Sequence, residues 1–381
     1  MSDISLSIII PTKDRYQYLI PVIRYFKRFS GKYDFELIVE DNSSCNKEWN
    51  NFVSKKLLFP ELKYEYVPEK RDIVANCDAA FLRAVGVYNI MLGDDDFVTE
   101  DIFSAVDFCS KNCIDSACFP LAWYNWPDLI EKIPSLPSLT ITNDLILGIK
   151  VLDAKEEFAN VLRTQRYRLE PISKVYHGIV RRKILENCYK EFGTFFPGYS
   201  PDIGNASALC QEVKEHVYFP IYAVVAGFGG KSAGGLGAQK RHVGRVDSVD
   251  FLPKSILSHW STKIPYVWTG STVWAASILY VLDKSSDDDL SQHFSFSRFY
   301  AYMLVSHPSI FLRWLSNFRI RNSFLTLIGL WLIVYDRLVS FKLPPSGMVE
   351  INLENSSILE ASCKLESLNS NHRIAIFGDI I

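Results

Sequence analysis

Short apolar runs and amphipathic stripes alternate through the first 125 residues, and the strongest of these runs end in acidic or hydroxyl side chains. Residues 6–10 form one such run, which Pro11 is expected to stop as a strand. A helical stripe follows at Tyr18, Leu19, Val22, Ile23 and Phe26. Residues 35–39 make a second run, closed by the polar cluster Glu40-Asp41-Asn42-Ser43-Ser44. The pattern then predicts strands over 64–67, 88–92 and 117–123, with a helix over 72–85 that turns Ile73, Cys77, Ala80, Phe81 and Ala84 inward. Strand–helix alternation of this kind implies an α/β fold built on a parallel, doubly wound sheet. Ligands bind beyond the carboxyl ends of such strands. Here those ends are Thr12-Lys13-Asp14-Arg15, Glu40-Asp41-Asn42 and Asp94-Asp95-Asp96.

The third end is the most unusual. Three adjacent aspartates follow directly on a buried-looking run, Ile90-Met91-Leu92-Gly93. They could be the solvated start of the next helix, where Thr99, Glu100 and Asp101 suit a cap and the positive dipole end. Carboxylates held together at a rigid strand end also suit a hard divalent cation, Mg²⁺ or Mn²⁺, which shares its shell with substrate phosphates. The recurrence of acids at three strand ends favours the metal reading. Charge narrows the partners further. A net charge of -2 and a pI near 6.4 give no positive field for nucleic acid. The eight cysteines show no paired spacing for zinc, and the first residues lack a basic n-region, so a reduced, cytoplasmic chain is expected.

Taken together and in order, "SIIIPTKDR", "ELIVEDNSS" and "YNIMLGDDDF" resemble the nucleotide-sugar-binding half of inverting family-2 glycosyltransferases with the GT-A fold. The resemblance covers about the first 125 residues. It implies that Pro11, Thr12 and Asp14 lie beside the nucleotide and that Asp41 hydrogen-bonds the base or ribose. It implies that Asp94 and Asp96 form the D-x-D that holds Mn²⁺ or Mg²⁺ on the diphosphate, with Asp95 toward the ribose. Arg71 and Asn76 match a region that contacts the donor. Glu40 departs from the family, which often has aspartate there.

Glycosyl transfer also needs a base for the acceptor hydroxyl, supplied in the family by an acidic residue well downstream of the D-x-D. Asp202, in "FFPGYSPDIGNASALC", has the matching spacing, although a first-turn charge on the following helix is the plainer reading. Glu212 and Glu215 are fallbacks. "VVAGFGGKSAGGLG" (224–237) is not a phosphate loop, because Val225 stands where the first glycine is required. It reads as a glycine-rich loop, either a plain surface loop or one that closes over the donor with Lys231, Arg241 or His242 near the diphosphate. His177, on an expected strand, reads as a core histidine. From about residue 250 aromatic-rich helices take over. Residues 324–335 are the most apolar run, too short to cross a bilayer, and suit either a buried helix or an interfacial contact through Trp314, Trp331 and nearby arginines. Residues 347–381 read as polar loop with strand-like pieces.

The resulting expectation has three parts: a GT-A domain over 1–245, divided at 125 into nucleotide-sugar and acceptor halves; a helical C-terminal extension over 246–345; and a tail over 346–381. Its activity would be metal-dependent, inverting transfer from a nucleotide diphosphate sugar to a glycan or lipid-linked acceptor in surface-polysaccharide or lipopolysaccharide synthesis. Its expected place is the cytoplasm, with peripheral contact at the inner face of the cell membrane. A nucleotidyltransferase and a non-catalytic binding subunit are the alternatives.

Overall fold

The computed structural model describes all residues except 1–3, 56–57, 130–136, 143–144, 146–147, 166–168, 232–242, 286–287, 316–319, 341–346, 354–356 and 378–381. The first half runs β1 (Leu6–Thr12), α1 (Tyr16–Phe26), β2 (Phe35–Asp41), α2 (Lys47–Ser54), β3 (Leu62–Tyr66), α3 (Ile73–Leu82) and β4 (Tyr88–Met91). Next come β5 (Phe97–Val98), α4 (Asp101–Lys111), β6 (Ser116–Cys118), β7 (Leu121–Asn125), β8 (Ser138–Thr142) and β9 (Lys150–Leu152). They lead into α5 (Ala154–Thr164), β10 (Ile179–Arg181), α6 (Arg182–Phe192), α7 (Pro201–Glu212), β11 (His216–Tyr218) and β12 (Val224–Phe228).

The main sheet has the order β3-β2-β1-β4-β10-β6-β11-β9, and β1 to β4 are mutually parallel. This is a mixed α/β fold with a mostly parallel sheet flanked by helices. Its centre is aliphatic because β1 and β2 are covered on both faces: Ile8, Ile10, Leu37 and Val39 pack into one core layer, Ile9 and Ile38 into another. β1 does not stop at Pro11. The strand continues to Thr12, paired through Pro11 with Glu40. Its pairing with β4 has already ended at Ile9, so the missing N–H falls where the strand has a neighbour on one side only. The run expected over 117–123 splits into β6 and β7, which belong to different sheets.

A short ribbon, β13 (Gly244–Arg245) with β14 (Val267–Trp268), leads to the helices α8 (Gly270–Ser285), α9 (Asp288–Gln292), α10 (Phe296–Ser306), α11 (Pro308–Leu315) and α12 (Ile320–Ser340). These have their own apolar core, which includes Ile203 and Ala206 of α7 and so joins them to the main domain. Residues 348–377, expected as loop with strand-like pieces, form a strand and a long helix, β15 (Met348–Asn352) and α13 (Ile358–Phe377). β15 extends the second sheet, β15-β8-β7-β12-β5, and α13 packs on α1 and α4. Asn369 and Arg373 of α13 both bond Asp101, and Ser362 bonds Tyr25.

Candidate active site

β1, β2 and β4 bring their carboxyl ends side by side, and the acidic knot forms where β4 leaves the sheet. All three aspartates are buried, so the reading as a solvated helix start does not hold. Each is held differently. Asp94 accepts the Thr12 hydroxyl at 2.5 Å and Arg15 Nε at 3.0 Å, both on Oδ2. Arg15 Nη2 lies 2.5 Å from Asp94 Oδ1 but off the hydrogen-bond line, leaving that oxygen without a hydrogen bond. Asp95 accepts Gly229 N–H at 3.0 Å and stands 3.7 Å from Arg15. Asp96 faces inward. Its Oδ1 takes Gly227 N–H at 2.7 Å, and its Oδ2 takes Gly93 N–H and the His177 ring, each at 2.6 Å.

The electrostatics follow this division. Burial raises Asp94, only partly offset by Arg15 and Thr12. Burial also pushes Asp95 up to about 8; Arg15 pulls it down while Asp96 and Asp94 push it further up. Burial alone would raise Asp96, but the His177 ring and the Gly227 and Gly93 N–H groups outweigh it and hold it low. The outer pair is therefore short of positive charge, and Asp94 Oδ1 is an orphaned buried acceptor. That chemistry fits a hard divalent cation on Asp94 and Asp95. Asp96 already receives three donors across its two oxygens. Among the described residues no three acidic, histidine or cysteine side chains converge on one point, so a cation here would need oxygens from a bound phosphate.

The neighbouring strand end is built just as tightly. Asp41 is fully buried; Oδ2 accepts the Tyr16 and Tyr64 hydroxyls and Oδ1 accepts Ser43 N–H at 2.9 Å. Asp14 adopts a left-handed backbone (φ 56°) and ties the two loops together, receiving Ser44 N–H at 2.7 Å. Glu40, the departure from the family pattern, is buried and clamped by Arg71 and Arg83 at 2.7 Å each. Arg71 is thus fixed beside Asn42, which also takes its N–H at 3.0 Å. Asn76 reaches the Glu40 carbonyl at 3.4 Å, and its own carbonyl oxygen is buried without a hydrogen bond.

Asp202 lies in the first turn of α7, after the N-cap Ser200. Its Oδ1 takes the Ser200 hydroxyl at 2.5 Å and Ile203 N–H at 2.8 Å, whereas Oδ2 has no hydrogen-bond partner among the described residues. Burial raises its pKa; the hydroxyl, nearby N–H groups and the His177 ring oppose the rise. His177 therefore stands within electrostatic reach of both Asp96 and Asp202. The segment that carries it is fixed from both sides. Met91 N–H bonds the Val175 carbonyl at 2.8 Å, and Val175 N–H bonds the Asn205 side chain of α7 at 3.0 Å. Glu212 is at the opposite end of α7, roughly 15 Å away by helix rise, where it accepts Asn187. Glu215 lies beyond that end.

Residues 7–173 match the model of Glycosyl transferase family 2. Over those residues the chain is similar to the family-2 glycosyltransferases. A search of the curated proteins gives no match. Among solved structures the chain is similar to S. aureus TarS, at 13% identity over 58% of this chain and 36% of that one, with a TM-score of 0.41. It is also similar to TarS 1–349 in complex with UDP-GlcNAc, at 14% identity, 58% of each chain and a TM-score of 0.40. The chain spans little more than a third of the first of these and under two thirds of the second.

The sequence reading of this site overlooked three contributors. Arg15 was seen at a strand end but given no role; it is the only cation bonded to the knot from outside among the described residues. His177 is buried as expected of a core histidine, yet it is not on a strand: it sits in a turn before β10 with a left-handed backbone (φ 63°) and bonds Asp96. The glycine-rich stretch begins as β12, not as loop. Its Gly227 and Gly229 amides grip Asp96 and Asp95, and a Cβ at Gly227 would come within 1.9 Å of the Asp95 carbonyl. Lys231 bonds Gln17 at 2.9 Å; Arg241 and His242 fall outside the described residues. A cleft of about 500 Å³ opens nearby between α3 and α8, lined by Asp72, Asp78, Phe196, Gly198 and Tyr280, but neither the knot nor Asp202 lines it.

Proposed function

We propose that this enzyme moves a sugar from a nucleotide diphosphate donor to an acceptor hydroxyl by a single inverting displacement. The observation that carries the reading is two unlike acidic groups, the knot and Asp202, both within electrostatic reach of His177. Asp94 and Asp95 share the single guanidinium of Arg15, and Asp202 is a partly buried carboxylate with one oxygen unengaged among the described residues. In this reading the nucleotide lies along the loops after β1 and β2, beside Pro11, Thr12, Asp14 and Asp41, with Arg71 and Asn76 on its flank. A divalent cation, Mn²⁺ or Mg²⁺, would be held by Asp94 and Asp95 and would stabilise the charge of the departing diphosphate. Asp96 joins that shell only if it gives up an N–H donor, so its role here is to hold the knot in place.

Asp202 takes the proton from the acceptor oxygen as that oxygen attacks the anomeric carbon. A carboxyl raised by burial is a stronger base than one in water, and general-base help is typically worth about 10² to 10⁴ in rate. The acceptor in this reading is a hydroxyl of a glycan or lipid-linked saccharide, of the surface-polysaccharide or lipopolysaccharide kind that the family resemblance implies. The test is thermal unfolding with a panel of nucleoside diphosphates and nucleotide-sugars, each with and without Mn²⁺. A specific donor raises the transition by mass action. Stabilisation by nucleoside triphosphates alone, with pyrophosphate released on turnover, would instead point to a nucleotidyltransferase.

A further inference from the structure

The loop that delivers Asp202 is held by helices on both of its sides. From α3, the Asp78 carboxylate takes the Thr194 hydroxyl at 2.7 Å and Phe195 N–H at 2.9 Å. From α8, Ser277 holds the other end. Its Oγ accepts Tyr199 N–H at 3.0 Å and Ser200 N–H at 3.1 Å, and donates to the Val273 carbonyl one turn back at 2.8 Å. A hydroxyl has one proton and two lone pairs, so this buried one is fully used. No other acceptor serves those two N–H groups among the described residues. A serine that merely filled a helix interior would close on its own turn alone. Gly198 makes the approach possible: its φ is 100°, and a Cβ there would lie 3.0 Å from Ser277 Cβ. Tyr199 then anchors the loop, with its ring buried 5.0 Å from that of Trp260 and its hydroxyl on the Ile256 carbonyl at 2.9 Å.

Ser200 passes the constraint on. It is the N-cap of α7, and its hydroxyl donates to Asp202 Oδ1 at 2.5 Å, beside Ile203 N–H at 2.8 Å. Both donors sit on Oδ1, which leaves Oδ2 for the acceptor proton. We propose that Ser277 is a positioning residue for glycosyl transfer, fixing the Ser200 backbone so that the Ser200 hydroxyl sets the orientation of Asp202. This role rests on Asp202 being the base. It brings the helical extension into the reaction, since α8 lies outside residues 7–173, the stretch that matches the family. A misplacement of about 1 Å in a reacting group costs on the order of 10²-fold in rate.

The ligand-free protein gives the first reading. With aspartate isotope-labelled at Cγ, the Asp202 signal is the one that Asp202→Asn removes, and its titration midpoint is read by NMR. Burial raises that carboxyl and the Ser200 hydroxyl holds the rise back, so Ser277→Ala should move the midpoint upward. Asp202 is sensed by Lys174, Tyr176 and His177 ahead of β10 and by Cys77 of α3; Ser277 is uncharged, so its removal acts through Ser200 rather than through the local field. Turnover is then followed as nucleoside diphosphate released from each member of a nucleotide-sugar panel with Mn²⁺. Ser277→Ala should lower kcat about ten- to a hundredfold, leave the donor KM within about twofold, and carry the acid limb of kcat/KM upward with the midpoint. Added to Ser200→Ala, it should move the midpoint no further, because both break one relay. If Ser277→Ala does not fold, Ser277→Cys, whose thiol accepts weakly, should give a smaller shift of the same sign. An unmoved midpoint, or a shift that adds in full to that of Ser200→Ala, would overturn the proposal. Full turnover by Asp202→Asn would overturn it by a different route, since the base reading then falls while the midpoint shift remains.

Discussion

Replacing Asp96 by asparagine separates a clamp from a metal ligand. The carboxylate only accepts, and it receives hydrogen bonds on both oxygens: Gly227 N–H on one, Gly93 N–H and His177 on the other. Asparagine has the same shape but one accepting end. If its oxygen serves Gly93 and His177, its NH₂ faces the Gly227 N–H; if it turns over, two donors lose their acceptor instead. At least one buried N–H is stranded, at about 1–3 kcal/mol, and the charge-assisted character of the remaining bonds is lost, for roughly the same again. A total near 3–5 kcal/mol in the main domain should lower the apparent Tm by roughly 5–15 °C. The assay is thermal unfolding of the ligand-free protein, with Asp94→Asn as comparison. A variant that unfolds at the wild-type temperature yet no longer responds to nucleoside diphosphate and Mn²⁺ would refute the clamp and return Asp96 to the cation's shell.

Asp95→Asn should do the reverse. Because the Asp95 pKa is raised to about 8, its charged form opposes folding increasingly as pH climbs from the ordinary carboxylate range through that value. The ligand-free variant should therefore be at least as stable as wild type at pH 8, while its Mn²⁺-dependent shift with nucleotide disappears. Asp202→Asn should keep donor binding and lower kcat by about 10² or more. In the wild type, kcat/KM should fall on the acid side at a pH above the ordinary carboxylate range, since the raised Asp202 must be ionised to act, and that limb should vanish in the variant. Arg373→Ala leaves the buried Asp101 carboxylate with fewer donors and should destabilise the main domain by roughly 2 kcal/mol, read as a lower denaturation midpoint.

What could be read ahead of the structure follows from how local its cause is. The strands and the grouping of Thr12, Asp14, Asp41 and Asp94 to Asp96 were legible because a buried parallel strand writes itself as an apolar run and its polar end follows directly. The division of labour inside the knot was not. Which way each aspartate points is set by donors that arrive from Gly227, Gly229 and His177, far along the chain. The position of α13 was hidden for a different reason. Its buried side works partly through Ser362, Asn369 and Arg373, so polar residues occupy places where an apolar stripe would have announced a docked helix. Residues 324–335 were ambiguous because both of their faces are apolar, and among the described residues only one of them packs on a neighbouring helix.

The docking of α13 on α1 and α4 has a consequence for how the protein is made. Leu353, Ile358, Ala361 and Leu365 belong to the same core as Ile8 and Leu37, so strands β1 and β2 wait for residues synthesised much later. The intervening helices, with a core of their own, can settle earlier. Removing α13 therefore exposes apolar surface in the domain that carries the acidic knot, and chaperone demand during synthesis should follow the time taken to translate through residue 377.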